Sequence, residues 1–253
     1  VAAEGLIGIT IKDNSGAMIE INSETDFVAR NELFQNFVKT CSELVLSSKN
    51  DIDALQKLPF PNANRSVNEE LINNIATIGE NMKIRRAEYL EVSKGILISY
   101  VHNSVAEGLG RLGVLVALET GVQNNDIKEI GKQIAMHIAA TSPKSLNIDD
   151  LDPEVVNRER QVLIDQAMSS GKPKEIAEKM VQGRMHKFFQ EVVLNEQVSV
   201  IDGETKIKDL IKRTSLELKT EIKIKGFKVL KLGEGVEIEE SDFAAEVAAT
   251  AGL

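Results

Sequence analysis

The chain opens with alternating apolar and polar positions and changes to a helical period after about residue 26. Residues 6–11 and 17–22 flank the turn sequence 12–16, and this arrangement predicts a β-hairpin. Beyond the hairpin, apolar residues recur about every 3.6 positions, which predicts a helix. The apolar face of this helix carries Phe34, Phe37, Val38, Cys41, Leu44 and Val45.

The same order of elements returns later in the chain. Residues 95–101 and 113–120 predict two further strands. The helix predicted after them has one apolar face, formed by Ile127, Ile130, Ile134 and Ile138. The strand endings 18–25 and 113–120 align at an offset of 95 residues. The repeated order and this short similarity predict two related β-β-α halves, joined by a mainly helical connection that ends near residue 84.

A helical hairpin is predicted after the second half begins. Asp152 is a favourable N-cap and Pro153 suits the first helical turn, so a helix is expected through about residue 168. Residues 169–173 turn the chain, and a second helix runs to about residue 194. Two helices of this length form an antiparallel hairpin that either packs on the body or stands out as an arm.

The chain ends with a short helix, a strand and an amphipathic helix from Ser241. That last helix is too short to be stable alone in water, so it is expected to dock on another surface. The patterns together predict an α+β fold of two related β-β-α halves, with antiparallel sheets packed on helices, an inserted coiled-coil arm and a short C-terminal helix. Four domains are predicted. The N-terminal core half covers 1–92, and the C-terminal core half covers 93–152 and 204–235. The helical arm covers 153–203, and a C-terminal helical module covers 236–253.

Composition narrows the classes of function. Of the 253 residues, 42% are hydrophobic, and the formal net charge is −9. This acidic balance argues against direct nucleic-acid binding, which needs a surplus of Lys and Arg. No apolar run is long enough to cross a membrane, so a cytoplasmic protein is expected. One cysteine, Cys41, and three scattered histidines exclude an internal disulfide and argue against a structural metal.

Catalytic motifs give no support for an enzyme. Residues 108–113 read G-x-G-x-x-G, but a strand follows this sequence, whereas a dinucleotide site requires a helix there. The hairpin-loop interpretation is therefore favoured, with a nucleotide-binding enzyme as the alternative. The chain contains no Walker A motif, no G-x-S-x-G and no H-E-x-x-H. No catalytic residue, cofactor or metal is predicted.

Two short segments allow either a structural or a binding interpretation. Phe27 precedes Phe34 by seven positions, so spacing favours a helix capped by Thr25 or Asp26, with Phe27 at the start of its buried face. On the later helix, Met136 points nearly opposite the isoleucines and His137 lies on their flank. An outward Met beside a His indicates a contact surface.

Five segments in order resemble the elongation factor Ts family, the guanine-nucleotide exchange factors of elongation factor Tu. They are TDFVARN (25–31), IGENMKIRR (78–86), IAMHIAA (134–140), SGKPKEIAEKMVQGRM (170–185) and DFAAEVAA (242–249). The family's N-terminal helical module has no match here, so a processed or truncated chain is expected. The resemblance implies that the protein exchanges nucleotide on elongation factor Tu and makes no direct contact with nucleic acid or membrane. It leaves open whether the complex with elongation factor Tu forms a homodimer.

The resemblance also implies partner-binding residues. Asp26 and Phe27 would enter the partner's GTPase domain beside its magnesium site, where Phe27 displaces groups that hold the ion. The residues that flank this pair or form the other implied contacts are Thr25, Val28, Ala29 and Arg30; Leu112 and Gly113; Met136 and His137; and Asp242, Phe243, Glu246 and Val247 in the C-terminal module. The alternative function is a binding module without exchange activity that holds a GTPase or self-assembles through its arm.

Overall fold

The computed structural model describes residues 2–236. Its strands are β1 (Glu4–Lys12), β2 (Ser15–Ser23), β3 (Met82–Glu91), β4 (Gly95–His102), β5 (Leu109–Gly110), β6 (Leu112–Thr120) and β7 (Ile222–Lys231). Its α-helices are α1 (Glu32–Ser48), α2 (Ile52–Lys57), α3 (Val67–Ile78), α4 (Asn125–Thr141), α5 (Pro153–Ser169), α6 (Lys174–Val192) and α7 (Ile207–Glu217). The predicted C-terminal helix lies outside the described residues.

The predicted α+β fold is confirmed. One antiparallel sheet has the strand order β3-β2-β1-β5 and packs on α1, and the other has the order β4-β6-β7 and packs on α4. The sheets meet face to face, so the central strands β2 and β6 are buried on both faces. The layer between the sheets is formed by Ile7, Ile9, Met18, Leu115 and Leu230.

The repeat is confirmed, but the predicted offset of 95 is wrong. Gly5 and Gly95 both have positive φ, and a Cβ there would lie 2.1 Å from the Ile21 carbonyl oxygen and 1.9 Å from the Leu118 carbonyl oxygen, respectively. Both sheets also shift register immediately before Ile21 and Leu118. These two features match the strands β2 and β6 at an offset of 97 residues.

The helices match at a smaller offset than the strands. Asn31 caps α1 and Asn124 caps α4, each through its side-chain oxygen. Asn31 follows Ser23, the last residue of β2, by eight positions, whereas Asn124 follows Thr120, the last residue of β6, by four. The first half therefore contains four extra residues between its second strand and its helix.

The connection between the halves ends earlier than the sequence pattern indicates. A helix was expected to end near residue 84, but α3 ends at Ile78 because Gly79 adopts the left-handed conformation. Met82 and Ile84 then alternate into the core while Lys83 faces solvent, so β3 begins at Met82.

The two long helices α5 and α6 form the predicted antiparallel hairpin. The Asp152 side chain accepts a hydrogen bond from the Glu154 N–H, with Pro153 in the first turn. The apolar side chains of α6 are only partly covered, since Met185 is buried but Ile176 is exposed. The boundaries of the arm as a domain remain a prediction.

A buried carboxylate links the two halves. Glu20 on β2 is fully buried and accepts hydrogen bonds from the Arg85 guanidinium (3.1 Å), the Asn22 amide (3.0 Å) and the Gly233 N–H (2.8 Å), as well as from Arg86. Burial alone would raise the pKa of the Glu20 carboxyl, but the hydrogen bonds from Asn22, Gly233 and Arg86 hold it below its usual value. Arg86 also donates to the Lys231 carbonyl at 2.7 Å. The chain that follows β7 is thereby held against β2 and β3.

Replacing Glu20 by Ala is expected to lower the free energy of unfolding by about 3–5 kcal/mol, because two arginines would lose their buried counter-charge. Urea unfolding measures this change. Glu221→Ala is the control, since Glu221 forms an exposed ion pair with Lys223 and should contribute far less. Equal effects of the two substitutions would contradict the role of Glu20.

Candidate functional site

Phe27 lies on a short turn that projects from the first half. Asp26–Arg30 forms a 3-10 helix between β2 and α1, with Val28 and Ala29 buried. The Phe27 side chain is 77% exposed, so the prediction that it begins the buried face of α1 is wrong. The 3-10 turn has about three residues per turn and ends before α1, and the two segments therefore do not share one helical face.

The predicted caps are also wrong. Asn31 caps α1, accepting hydrogen bonds from the N–H groups of Leu33 (2.9 Å) and Phe34 (3.3 Å). The Thr25 side chain makes no cap contact. Its hydroxyl donates instead to Glu80 Oε1 at 2.6 Å, and its N–H donates to Glu80 Oε2 at 3.0 Å.

Hydrogen bonds hold the backbone on both sides of Phe27. The Ser23 hydroxyl donates to the Thr25 carbonyl at 3.0 Å, and the Gln35 amide donates to the Ala29 carbonyl at 2.8 Å. Asp26 and Arg30 are exposed on the same turn. This arrangement presents one large apolar side chain from a fixed backbone, and such a side chain gains about 1.5–3 kcal/mol when a partner removes it from water.

The Met136–His137 pair is divided between surface and interior. Met136 is 44% exposed, whereas His137 is fully buried, so His137 does not present its ring to a partner in this structure. Its Nε2 lies 2.8 Å from Gln197 Oε1, and its Nδ1 accepts a hydrogen bond from the Val200 N–H at 3.2 Å. Because a backbone N–H only donates, Nδ1 carries no proton and Nε2–H donates to Gln197. Burial lowers the pKa of His137.

His137 supports an exposed apolar loop that sequence reasoning missed. In the loop 198–201, Val198, Val200 and Ile201 are each exposed by 43–50%, while Ser199 between them is buried. The Ser199 N–H donates to the Thr205 carbonyl at 2.8 Å, which fixes the loop from its other side. The sequence signal was the V-x-V-I segment that follows the second helix of the arm, outside any predicted helix or strand.

The other predicted contact residues are partly or fully buried or lie outside the described residues. Leu112 is half-buried at the start of β6, and Gly113 is buried between the sheets, where a Cβ would lie 2.7 Å from the Ile9 side chain. Gly113 thus permits close packing of the two sheets. Asp242, Phe243, Glu246 and Val247 lie outside the described residues.

The thiol of Cys41 is not available for chemistry at the surface. Cys41 is fully buried in the first core, and burial raises the pKa of its thiol, so the sulfur stays protonated at neutral pH.

Within residues 2–236, no group of three or more His, Cys, Asp or Glu side chains is arranged to hold a metal ion. Over the same residues, no helix is both long and apolar enough to span a membrane.

Comparison with known proteins finds a family whose sequence model covers both the exposed turn and the arm. The sequence model described as "Elongation factor TS" matches residues 24–234, which include both features. The chain belongs to the elongation factor Ts family. It is 54% identical over 252 residues to elongation factor Ts of Rhodospirillum centenum, covering 100% of this chain and 82% of that protein. It is 51% identical over 249 residues to elongation factor Ts of Rhodospirillum rubrum, covering 98% of this chain and 81% of that protein.

A third relative, elongation factor Ts of Zymomonas mobilis, is 50% identical over 252 residues, covering 100% of this chain and 82% of the relative. The resemblance stated from the five sequence segments is therefore confirmed. Membership of the elongation factor Ts family makes this protein a translation elongation factor.

Acid is expected to destabilise this protein partly through His137. Its folded pKa is lowered, so the unfolded state binds a proton more readily, and the stabilisation present above about pH 6.5 is lost as pH falls toward the folded pKa. As the pH is lowered from about 7.5 to 5.5, the free energy of unfolding should therefore fall more in the unmodified protein than in His137→Asn. The difference between the two proteins should be at most about 1.4 kcal/mol per pH unit. Urea titrations at the two pH values measure this difference, and identical pH dependence would rule it out.

Proposed function

We propose that this protein is a guanine-nucleotide exchange factor that binds elongation factor Tu·GDP, disturbs its Mg²⁺ and phosphate site, and promotes GDP release. The observation that carries the proposal is Phe27, 77% exposed on a turn held by hydrogen bonds on both sides. Family membership supports the choice of partner. The protein acts as a binding partner and catalyses no covalent step of its own.

Exchange by this route is a coupling between two binding events. The factor by which the protein weakens GDP binding is also the factor by which GDP weakens binding of the protein, so the nucleotide-free partner is bound best. The protein must therefore form contacts that are incompatible with a fully formed Mg²⁺ and phosphate site. A rigid surface suits this task, because little binding free energy is lost in ordering it.

Phe27 supplies such a contact. Insertion of its ring between side chains of the GTPase domain would bury apolar surface and displace groups that hold the Mg²⁺ ion. The ion neutralises much of the phosphate charge, so its displacement weakens GDP binding. Asp26 lies exposed beside Phe27, where it adds a negative charge to the same contact.

A second contact would hold the partner without acting on the nucleotide. We assign Met136 and the loop 198–201 to this contact, because both expose apolar side chains. His137 then contributes through the loop that it supports. Leu112 and, in the C-terminal module, Asp242, Phe243, Glu246 and Val247 are further contacts within the same proposal.

Replacing Phe27 by Ala is expected to lower the maximal rate of GDP release by about tenfold or more, the size expected for a central interface aromatic. Stopped-flow release of a fluorescent GDP analogue from elongation factor Tu measures this rate. Leu216→Ala is the matched control, since Leu216 is 71% exposed on α7 and has no assigned contact. Its rate should equal that of the unmodified protein.

The outcomes separate the candidate functions. An unchanged rate for Phe27→Ala would remove Phe27 from the mechanism. If the unmodified protein binds elongation factor Tu but does not accelerate release, the protein is a binding module without exchange activity. Direct binding of nucleotide by the isolated protein would instead favour an enzyme that uses residues 108–113.

Replacing Met136 by Ala is expected to raise the concentration needed for half-maximal exchange by about threefold or more, while the maximal rate stays the same. The physical reason is that Met136 adds apolar contact in both the GDP-bound and nucleotide-free complexes. Titration of the exchange rate against protein concentration measures both quantities. A lower maximal rate with unchanged half-saturation would contradict this assignment.

A further inference from the structure

Glu80 is hydrogen-bonded to Thr25, two residues before Phe27, although it lies 55 positions after Thr25 in the sequence. Both of its carboxylate oxygens are used, one by the Thr25 hydroxyl at 2.6 Å and the other by the Thr25 N–H at 3.0 Å. A reciprocal bond runs from the Asn81 N–H to Glu24 Oε2 at 3.0 Å. The link therefore consists of three hydrogen bonds with carboxylate acceptors, which are stronger than those between neutral groups.

Backbone geometry directs Glu80 toward this turn. Gly79 ends α3 in the left-handed conformation with φ of 83°, and its N–H donates to the Ile75 carbonyl at 2.9 Å. The chain reverses here, and Met82 then pairs with Ser23 at the end of β2. Glu80 is thereby placed beside Thr25, two residues from Phe27.

The second half of the molecule shows that the fold does not require this link. Lys219 is also left-handed, with φ of 51°, and Ile222 pairs with Thr120, so Lys219 matches Gly79 and Thr220 matches Glu80. Thr220 has no carboxylate, and its N–H donates to the Ser215 carbonyl at 3.1 Å. The sheet and helix of that half still close with the same topology.

The hydrogen bonds between Glu80 and Thr25 thus occur in the half that has the longer junction between strand and helix. The junction between Ser23 and Asn31 is four residues longer than its counterpart and contains the turn that carries Phe27, and Glu80 binds Thr25 just before that turn. Phe27 is exposed and receives little restraint from packing, so the direction of its side chain depends on the backbone at residues 24–27. Restraint of that backbone raises the fraction of molecules that are ready to insert Phe27.

We propose that Glu80 is a positioning residue for exchange: its carboxylate holds Thr25 so that Phe27 is presented in the orientation that enters the partner's GTPase domain. The proposal rests on the proposed function and extends it to a residue outside the contact surface. Glu80 acts through Phe27, so its removal should have no effect when the Phe27 ring is absent.

The test is a double-mutant cycle on GDP release from elongation factor Tu at subsaturating protein. Glu80→Ala should slow release by about threefold to tenfold, because fewer molecules hold Phe27 in place. Glu80→Gln keeps one acceptor oxygen and should give an intermediate rate. In the Phe27→Ala background, Glu80→Ala should change the rate by less than about twofold.

The control for loss of a carboxylate is Glu69→Ala. Glu69 lies at the opposite end of α3 and accepts a hydrogen bond from the Ser66 N–H at 2.6 Å. This variant should exchange at the unmodified rate. Amide hydrogen exchange of the Thr25 N–H gives a readout independent of activity, and protection of this amide should be lost in Glu80→Ala but kept in Glu69→Ala.

Each outcome decides between the two proposals. If Phe27→Ala slows release and Glu80→Ala does not, the positioning role is overturned and the proposed function stands. Equal slowing by Glu80→Ala in both backgrounds would mean that Glu80 acts through general stability, which also overturns it. If the unmodified protein does not accelerate release at all, the proposed function and the role of Glu80 fail together.

Discussion

The apolar layer between the two sheets is the contact on which the rest of the structure depends. Ile7, Ile9 and Met18 of the first sheet meet Leu115 and Leu230 of the second, so neither sheet has a free inner face. Glu20 lies on the same face of β2 as Met18 and is equally buried. A carboxylate in that position requires charged and hydrogen-bonding partners, and these partners fasten the end of β7 to the first half.

Within this shared architecture, the two halves use the junction between strand and helix differently. The second half passes directly from Thr120 to the Asn124 cap, and the first half inserts the turn that exposes Phe27. The sheets and helices keep their packing in both cases, and in the first half Val28 and Ala29 of the inserted turn join the core around α1. The turn is thus held by two buried side chains and by hydrogen bonds with Glu80, Ser23 and Gln35, while Phe27 stays exposed.

Both candidate contacts share one physical design. An apolar side chain faces solvent, while a polar group behind it, Glu80 for Phe27 and His137 for Val200, holds the backbone. The exposed residues supply contact area, and the groups behind them limit the entropy lost on binding. Under the proposed exchange function, this rigidity keeps binding free energy available for competition with the bound nucleotide.

The sequence by itself determined the order of the main strands and helices, the repeat and the helical hairpin, because apolar periodicity records which face of each element leaves water. The family followed from the five motif segments and not from periodicity. Tertiary structure alone decided that Phe27 is exposed and His137 buried. The seven-residue spacing of Phe27 and Phe34 imitates one helical face, and only the Asn31 cap shows that the register is broken. Glu80 lies 55 positions from Thr25, and Gln197 lies 60 from His137. Such pairs depend on how strands and helices are brought together in space, and local periodicity carries no information about that arrangement.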